Sequence, residues 1–424
     1  MIQIRLLVYA FVVLLFPRSC ERNTSETNAP GNTAGLTLPA GFSATIFADN
    51  LGSGRHIIVR NNGDVYLALR ALKNGKGIVA LRDKNSDGKA DSIVYFANTP
   101  TTGIDIGGNY LYFSNFTEVY RVPFTQNKLV PSETPVIIAG GFPQQSQHND
   151  KTFALDESGN LYVNVGAPSN SCTDPDRTPG TPGLDPCPQL EWHAGIWRFR
   201  SDLPGQDQKA DGHRYASGIR NSVAIAWNTL NNKLYVVQHG RDQLAQLYPA
   251  MYSEQEGAEL PAEEFFAVED GDFFGWPYCY YDLTRKIKLL APEYGGNKYA
   301  VDRCADAKNP IMAFPGHLAP NDLLFYTGNM FPEKYKNGAF IAFHGSWNRA
   351  PLPQEGYYVA FISFENGLPS GNMEIFANGF AGVDVITSPN NARYRPMGLG
   401  QGPDGSLYIS DSEKGRVWNV TYKK

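Results

Sequence analysis

Residues 61–69 read Asn-Asn-Gly-Asp-Val-Tyr-Leu-Ala-Leu: a polar turn with glycine, then five residues of aromatic and aliphatic character ready to be buried as a strand. The same phrase returns as GGNYLYFSN from Gly107, ESGNLYVNVG from Glu157, NNKLYVVQHG from Asn231, KNGAFIAFHG from Lys336 and PDGSLYISD from Pro403. Its second core residue falls at Tyr66, Tyr112, Tyr162, Tyr235, Ile341 and Tyr408, at intervals of 46, 50, 73, 106 and 67 residues. A propeller blade takes about 40 to 50 residues, so the short intervals fit one blade each and the long ones imply insertions. The prediction is all-β: a six-bladed β-propeller with long inter-blade insertions. The widest gap contains a stretch, Ala245 to Pro310, that is rich in Pro, Gly and Glu and poor in alternation, which reads as an elaborated loop rather than a seventh blade.

Composition agrees with many short strands and tight turns: 42 glycines, 29 prolines, 23 tyrosines and 24 phenylalanines stand beside only 19% charged residues, which excludes a coiled coil or a disordered chain. With 37 Lys and Arg against 42 Asp and Glu, a formal charge of -5 gives no basic field for nucleic acid, so no nucleic-acid partner is expected.

The first twenty residues have another character. Arg5 precedes an eleven-residue apolar run, Leu6 to Phe16, too short for a bilayer span and suited to a secretory h-region. Residues 1–20 are therefore read as a signal peptide, 21–38 as a polar linker and 39–424 as one propeller domain. Cleavage before a lipidated Cys20 and ordinary signal cleavage are the two alternatives, and the expected location is periplasmic or membrane-anchored. In an exported chain the four remaining cysteines favour disulfides, most simply Cys172 with Cys187 and Cys279 with Cys304. Zinc is the rival reading, but there is no CxxC and no close pair of histidines.

A propeller usually binds its ligand over the central channel, so functional residues should recur beside the strand phrases. They do: Arg55 precedes the first phrase, Gln147-His148-Asn149-Asp150 the third, Gly218-Ile219-Arg220-Asn221 the fourth, and Arg393-Tyr394-Arg395 the sixth. The fourth runs into His239-Gly240-Arg241-Asp242, and the fifth into His344-Gly345-Ser346-Trp347-Asn348-Arg349. Arginines converging from four blades of a net acidic protein suggest an anionic ligand, since guanidinium pairs bidentately with carboxylate or phosphate. Taken singly, an arginine near a strand end is more often a solvated or blade-bridging ion pair, and a lone histidine such as His148 more often structural than a base; it is the recurrence of arginines across blades that favours a ligand.

The phrases ASGIRNSVAIAWN, GDFFGWPYC, GHLAPNDLLFY, FHGSWNRAP and RYRPMGLGQGPDGSLYISD resemble the glucose/sorbosone dehydrogenase family, most closely its sorbosone and pyranose dehydrogenase branch, from about Leu38 to Val420. The resemblance implies pyrroloquinoline quinone (PQQ) and calcium as cofactors and oxidation of an aldose or pyranose sugar at its anomeric or aldehyde carbon, with electrons passed to an external quinone or cytochrome. It implies His148 as catalytic base and Arg55, Arg220, Asn221, Asn348, Arg349, Arg393 and Arg395 as cofactor-binding residues. The backbone carbonyls of Gly240 and Arg241 would hold the active-site calcium, with Asp242 a weaker candidate. An unperturbed imidazole, near pKa 6.5, would suit a base at neutral pH. The glucose-oxidising branch carries a carboxylate and a lysine where this chain has Gln147 and Asn348, and Arg349 is read as replacing the lost charge.

Asp83, Asn85, Asp87 and Asp91 place oxygens at positions 1, 3, 5 and 9 of a loop with Gly88 at position 6, a candidate structural calcium site whose plain alternative is a hydrophilic hairpin turn. Two rival functions share the architecture. A calcium-dependent lactonase-type hydrolase would need a cage of carboxylates or Asn around the channel. A cofactor-free carbohydrate-binding propeller would need none of these groups together.

Overall fold

The computed structural model describes residues 33–423, so the signal-peptide and Cys20 readings lie outside the described residues. Each strand phrase becomes the second strand of a blade of four antiparallel strands, Val65–Lys73, Tyr110–Ser114, Asn160–Val165, Lys233–Gln238, Ala339–Phe343 and Leu407–Asp411, and blades two and three each gain a short parallel fifth strand, Gln206–Asp207 and Asp272–Phe273. Their aromatic and β-branched residues are buried on both faces, as strands sandwiched between neighbouring blades must be. Six inner strands, Gly54–Val59, Ile104–Gly107, Phe153–Leu155, Ala224–Asn228, Pro320–Phe325 and Pro396–Gln401, touch one another in a closed ring around the channel. The six-bladed propeller is therefore as the phrase count predicts.

Closure comes from the N-terminal strand. Phe42–Ala48 pairs antiparallel with Val417–Tyr422 and completes the sixth blade from the far end of the chain. Phe42 is buried and sits edge-on to Phe331 and Phe376, with ring centroids 4.8 and 5.0 Å away, which fastens this strand to blade five as well. Leu36 joins the same cluster and Thr37 bridges to Asn378, so the ordered packing starts inside the segment read as linker.

The long intervals resolve into chain lodged on and between the blades. Residues 166–194 leave blade three between its second and third strands and carry the Cys172–Cys187 disulfide. The stretch read as an elaborated loop holds two short helices, the third strand of blade four (Glu263–Val268) and a hairpin, Cys279–Asp282 with Ile287–Leu290, and is no seventh blade. Cys279 and Cys304 are bonded, so both expected disulfides are present. The hairpin is pinned by Lys288, whose buried ammonium lies 2.9 Å from the buried Glu264 carboxylate of blade four. Among the described residues no helix is long and apolar enough to cross a membrane.

Because the closing strand is held by side-chain burial at one end of the chain, Phe42→Ala should cost about 3 to 5 kcal/mol and lower the midpoint of urea unfolding. An unchanged midpoint would show that closure does not depend on this contact.

Candidate active site

The inner strands all enter the channel at the same end, and the loops that follow several second strands rise there too. His148 precedes the inner strand of blade three, Arg220 that of blade four and Ala319 that of blade five, while His239, Gly240 and Asp242 follow the second strand of blade four and Ser346, Trp347 and Asn348 that of blade five. With Gln147, Arg177, Glu263 and His317 they line a cavity of about 280 Å³.

His148 is held by its surroundings in a left-handed conformation, φ 49°, which costs a non-glycine residue and persists only where neighbours enforce it. Gln145 reaches the carbonyls of Gln147, His148 and Gly166 with its side-chain amide at 2.6, 3.1 and 3.0 Å. Glycine is required at position 166 because a Cβ there would stand 2.6 Å from the Cβ of His148 and 2.8 Å from Asn221 Oδ1. Nδ1 of His148 donates to the Ala167 carbonyl at 2.6 Å; a carbonyl only accepts, so in the neutral ring the lone pair belongs to Nε2, and the residue lines the cavity. Burial and then the Arg220 charge lower its pKa to about 3, which corrects the expectation of an ordinary imidazole. The stability gained by keeping this ring neutral is complete above the unfolded value of about 6.5 and is lost as pH falls from there toward 3.

Asp242 is the hub of the charged wall. Its carboxylate accepts from Arg220 Nη2, Arg177 Nη2 and Asn348 Nδ2, each at 2.8 Å. Burial alone would raise its pKa, but the two guanidinium groups hold it below the usual carboxylate range. Arg220 is 2% exposed and also donates to the carbonyl and side chain of Asn170 and to the Gly240 carbonyl at 2.8 Å. Glu263 accepts the N–H groups of Gly240 (3.0 Å) and Ala319 (3.2 Å), and burial pushes its pKa up to about 8, so it is largely protonated at neutral pH. The cavity lining thus carries two guanidinium groups, Arg220 and Arg177, beside the Asp242 carboxylate and a Glu263 carboxyl whose burial favours its neutral form.

The candidate residues thus separate. His148, Arg220, Asn348 and Gly240 line the cavity, and Asn221 lies directly beneath, its carbonyl accepting from His239 N–H at 2.9 Å. Arg241 turns its side chain away into a buried pair with Glu293, leaving only its backbone near the turn. Arg349 does not replace a charge at the cavity: it is buried behind it, donating to the carbonyls of Ala258 and Pro353 and pairing with Glu259 at 2.8 Å. Arg393 is exposed and lies over the Tyr394 ring, outside the cavity lining. Arg395 donates to the His344 and Gly345 carbonyls and so holds the loop that presents Ser346, Trp347 and Asn348. Gly345 in that loop has φ 76° and no room for a Cβ, which would fall 2.2 Å from the Tyr357 ring. Arg55 pairs with Asp150 at 3.2 Å beside the channel rather than in the cavity.

Arg177, His239, Glu263, His317 and Trp347 belong to the cavity without having been assigned to it from the sequence. Arg177 sits in the disulfide-closed loop, whose composition signals only a covalent staple; the HG and HGSW phrases beside the strands were the available signal for His239 and Trp347. The Asp83 to Asp91 loop has the hydrogen bonds of a hairpin turn: Asp83 accepts the Asn85, Ser86 and Gly88 N–H groups and Asp91 that of Lys84. Among the described residues no three His, Cys, Asp or Glu side chains converge as a preformed metal site.

Comparison with known proteins gives relatives consistent with the motif resemblance. A Borreliella burgdorferi protein without an assigned function is 25% identical over 406 residues, 92% of each chain. A pyrroloquinoline quinone-dependent pyranose dehydrogenase of Coprinopsis cinerea is 27% identical over 230 residues, which are 48% of this chain and 30% of that protein. The fold is shared with the PQQ domain of the Coprinopsis cinerea pyranose dehydrogenase in its holo form (TM-score 0.73, 19% identity, 93% of this chain and 99% of that one). It is shared equally with the calcium structure of a Trichoderma reesei carbohydrate-active enzyme of family AA12 (TM-score 0.75, 18% identity, 94% and 100%). The TrAA12-like family model matches residues 36–423, nearly all of the described propeller, and the chain belongs to that family.

Proposed function

We propose that this protein is a PQQ-dependent dehydrogenase that oxidises an aldose or pyranose sugar, or a sugar aldehyde, and passes the electrons to an external quinone or cytochrome. The observation that carries the reading is a cavity-lining His148 whose Nδ1 is tied to the Ala167 carbonyl, which leaves the Nε2 lone pair of the neutral ring free, in a cavity that Arg220 and Arg177 also line.

The residues suit the cofactor's chemistry. Its carboxylates call for cations, and two guanidinium groups, Arg220 and Arg177, border the cavity. Asn348 Oδ1 is buried without a hydrogen-bond partner, an acceptor available to a bound donor or cation. Calcium is proposed at the carbonyls of Gly240 and Arg241, hard oxygen ligands of the kind it prefers, where it would compete with the Arg220 Nη1 bond to Gly240. When bound, PQQ supplies an electrophilic quinone that accepts a hydride. His148 Nε2 takes the proton of the substrate hydroxyl, and the ring's orientation is fixed by Ala167 so that no reorientation precedes the transfer. Trp347, 54% exposed at the rim, offers an aromatic face for the sugar ring.

The lactonase alternative fits less well. Asp242 spends its oxygens on Arg177, Arg220 and Asn348, and Glu263 on two backbone N–H groups, so the cavity's carboxylates are not arranged as a cage. A purely carbohydrate-binding propeller has no use for an oriented imidazole lone pair.

His148→Ala should retain PQQ binding while lowering turnover with aldoses by about 10² to 10⁴-fold, the contribution of a positioned general base. Loss of PQQ with normal turnover per bound cofactor would assign His148 to binding instead.

Chelation of calcium from the PQQ-loaded protein should abolish dye reduction, and added calcium should restore it. Full activity after verified removal of the metal would exclude calcium at Gly240; a loss of heat stability alone would point to the Asp83 to Asp91 loop.

A further inference from the structure

The other end of the central channel holds a second cavity, of about 490 Å³, to which all six inner strands contribute. It runs from His56, Asp105 and Asp322 at its inner end to a mouth at Gly108, Asp156, Glu157, Thr229 and Thr327, beyond the C-terminal ends of those strands. Its character is opposite to that of the cavity around His148. Four carboxylate side chains line it, Asp105, Asp156, Glu157 and Asp322, and no lysine or arginine does.

The inner end is short of donors. His56 is 8% exposed; its Nδ1 donates to the Thr102 carbonyl at 2.9 Å, while Nε2 has no hydrogen-bond partner. In the neutral ring Nε2 presents a lone pair to Asp322 Oδ1 at 3.5 Å, acceptor against acceptor, whereas a protonated ring would pair with that carboxylate and leave Asp105 as the acid for a bound cation. Asp322 receives the N–H groups of Leu323 and Leu399, at 2.8 and 2.7 Å, and Asp105 those of Ile106, at 2.7 Å, and Leu155, so both carboxyls are met by backbone N–H groups and neither by a lysine or arginine of the cavity lining. Burial, and then the charge of Asp322, push the Asp105 carboxyl up to about 7; a cation between them would relieve both effects. A buried acceptor left unmatched is costly, and a positively charged donor satisfies several at once.

The walls decide which cation. The three side chains at the inner end do not converge as a metal site, and the cavity is far larger than a bare ion needs. Phe153, Trp227 and Phe325, with Ile58, Ile106 and Leu324, supply apolar and aromatic surface to the same cavity. This combination suits a cationic head on an aliphatic body.

We propose that this channel cavity binds a small aliphatic amine in its ammonium form, the head between His56, Asp105 and Asp322 and the chain along Phe153, Trp227 and Phe325. The site is independent of the oxidation chemistry and stands whether or not PQQ is the cofactor. Titration of the purified protein with butylammonium chloride, followed by calorimetry and by tryptophan fluorescence, should show one saturable site with a Kd of about 1 mM or tighter. Asp105→Asn, which keeps an acceptor for the Ile106 N–H, should weaken binding at least about tenfold, the loss of one charge-assisted contact. Asp322→Asn should do the same; if that variant does not fold, Asp105→Asn and the comparison with neutral 1-butanol decide. Butanol should bind much more weakly than the ammonium. Equal binding of butanol, or equal ammonium binding by wild type and Asp105→Asn, would overturn the proposal. So would displacement of the amine by zinc at the same side chains, which would make this a metal site.

Discussion

The buried carboxylate of Asp242 holds the candidate site together. It receives one donor from the disulfide-closed loop of blade three (Arg177), one from the entry to the inner strand of blade four (Arg220) and one from the loop of blade five (Asn348). Three chain segments with little regular structure of their own are thereby fixed to one atom group. Removing one partner of such a buried pair strands the remaining charge and typically costs about 3 to 5 kcal/mol, so the arrangement is all-or-none rather than a sum of small contacts. The orientation of His148 depends on the same region, because the Arg220 charge acts on its ring and the Arg220 carbonyl accepts from the Ala167 N–H beside it.

The architecture was legible because a propeller repeats one physical problem. Each second strand is covered on both faces, so Tyr66, Tyr112, Tyr162, Tyr235, Ile341 and Tyr408 had to recur after a turn, whatever lay between. The site was legible best where a residue lies just outside a regular strand, as Arg220 does before the inner strand and Gly240 after the second strand of blade four. In irregular loops adjacency misleads: Asn348 and Arg349 are neighbours, yet one reaches Asp242 in the cavity and the other the Ala258 carbonyl behind it. Arg393 and Arg395 likewise diverge, one onto the surface and one into the backbone of the blade-five loop. The lowered pKa of His148 has no sequence signature, since burial is a property of the assembled ring.

The two ends of the channel carry opposite charge in one small propeller. Arg177 and Arg220 line the cavity at the entry to the inner strands, and the cavity at the other end is lined by Asp105, Asp156, Glu157 and Asp322 with no lysine or arginine, together with inner-strand apolar residues such as Ile57, Ile225 and Leu399. Such a separation lets one end attract an anionic group while the other repels it, a focusing effect that low-dielectric walls strengthen. An anionic cofactor carrying several carboxylates would be steered to the His148 end.

The central claim is that this cavity places a sugar hydroxyl against His148 beside a bound quinone. Its most direct test is to load the purified protein with PQQ and calcium, remove oxygen, add one equivalent of an aldose and record the cofactor absorption spectrum. The account predicts retention of PQQ through gel filtration and its conversion from quinone to quinol by the sugar, without any external acceptor. PQQ that is not retained, or that stays oxidised with every aldose and pyranose offered, would contradict it.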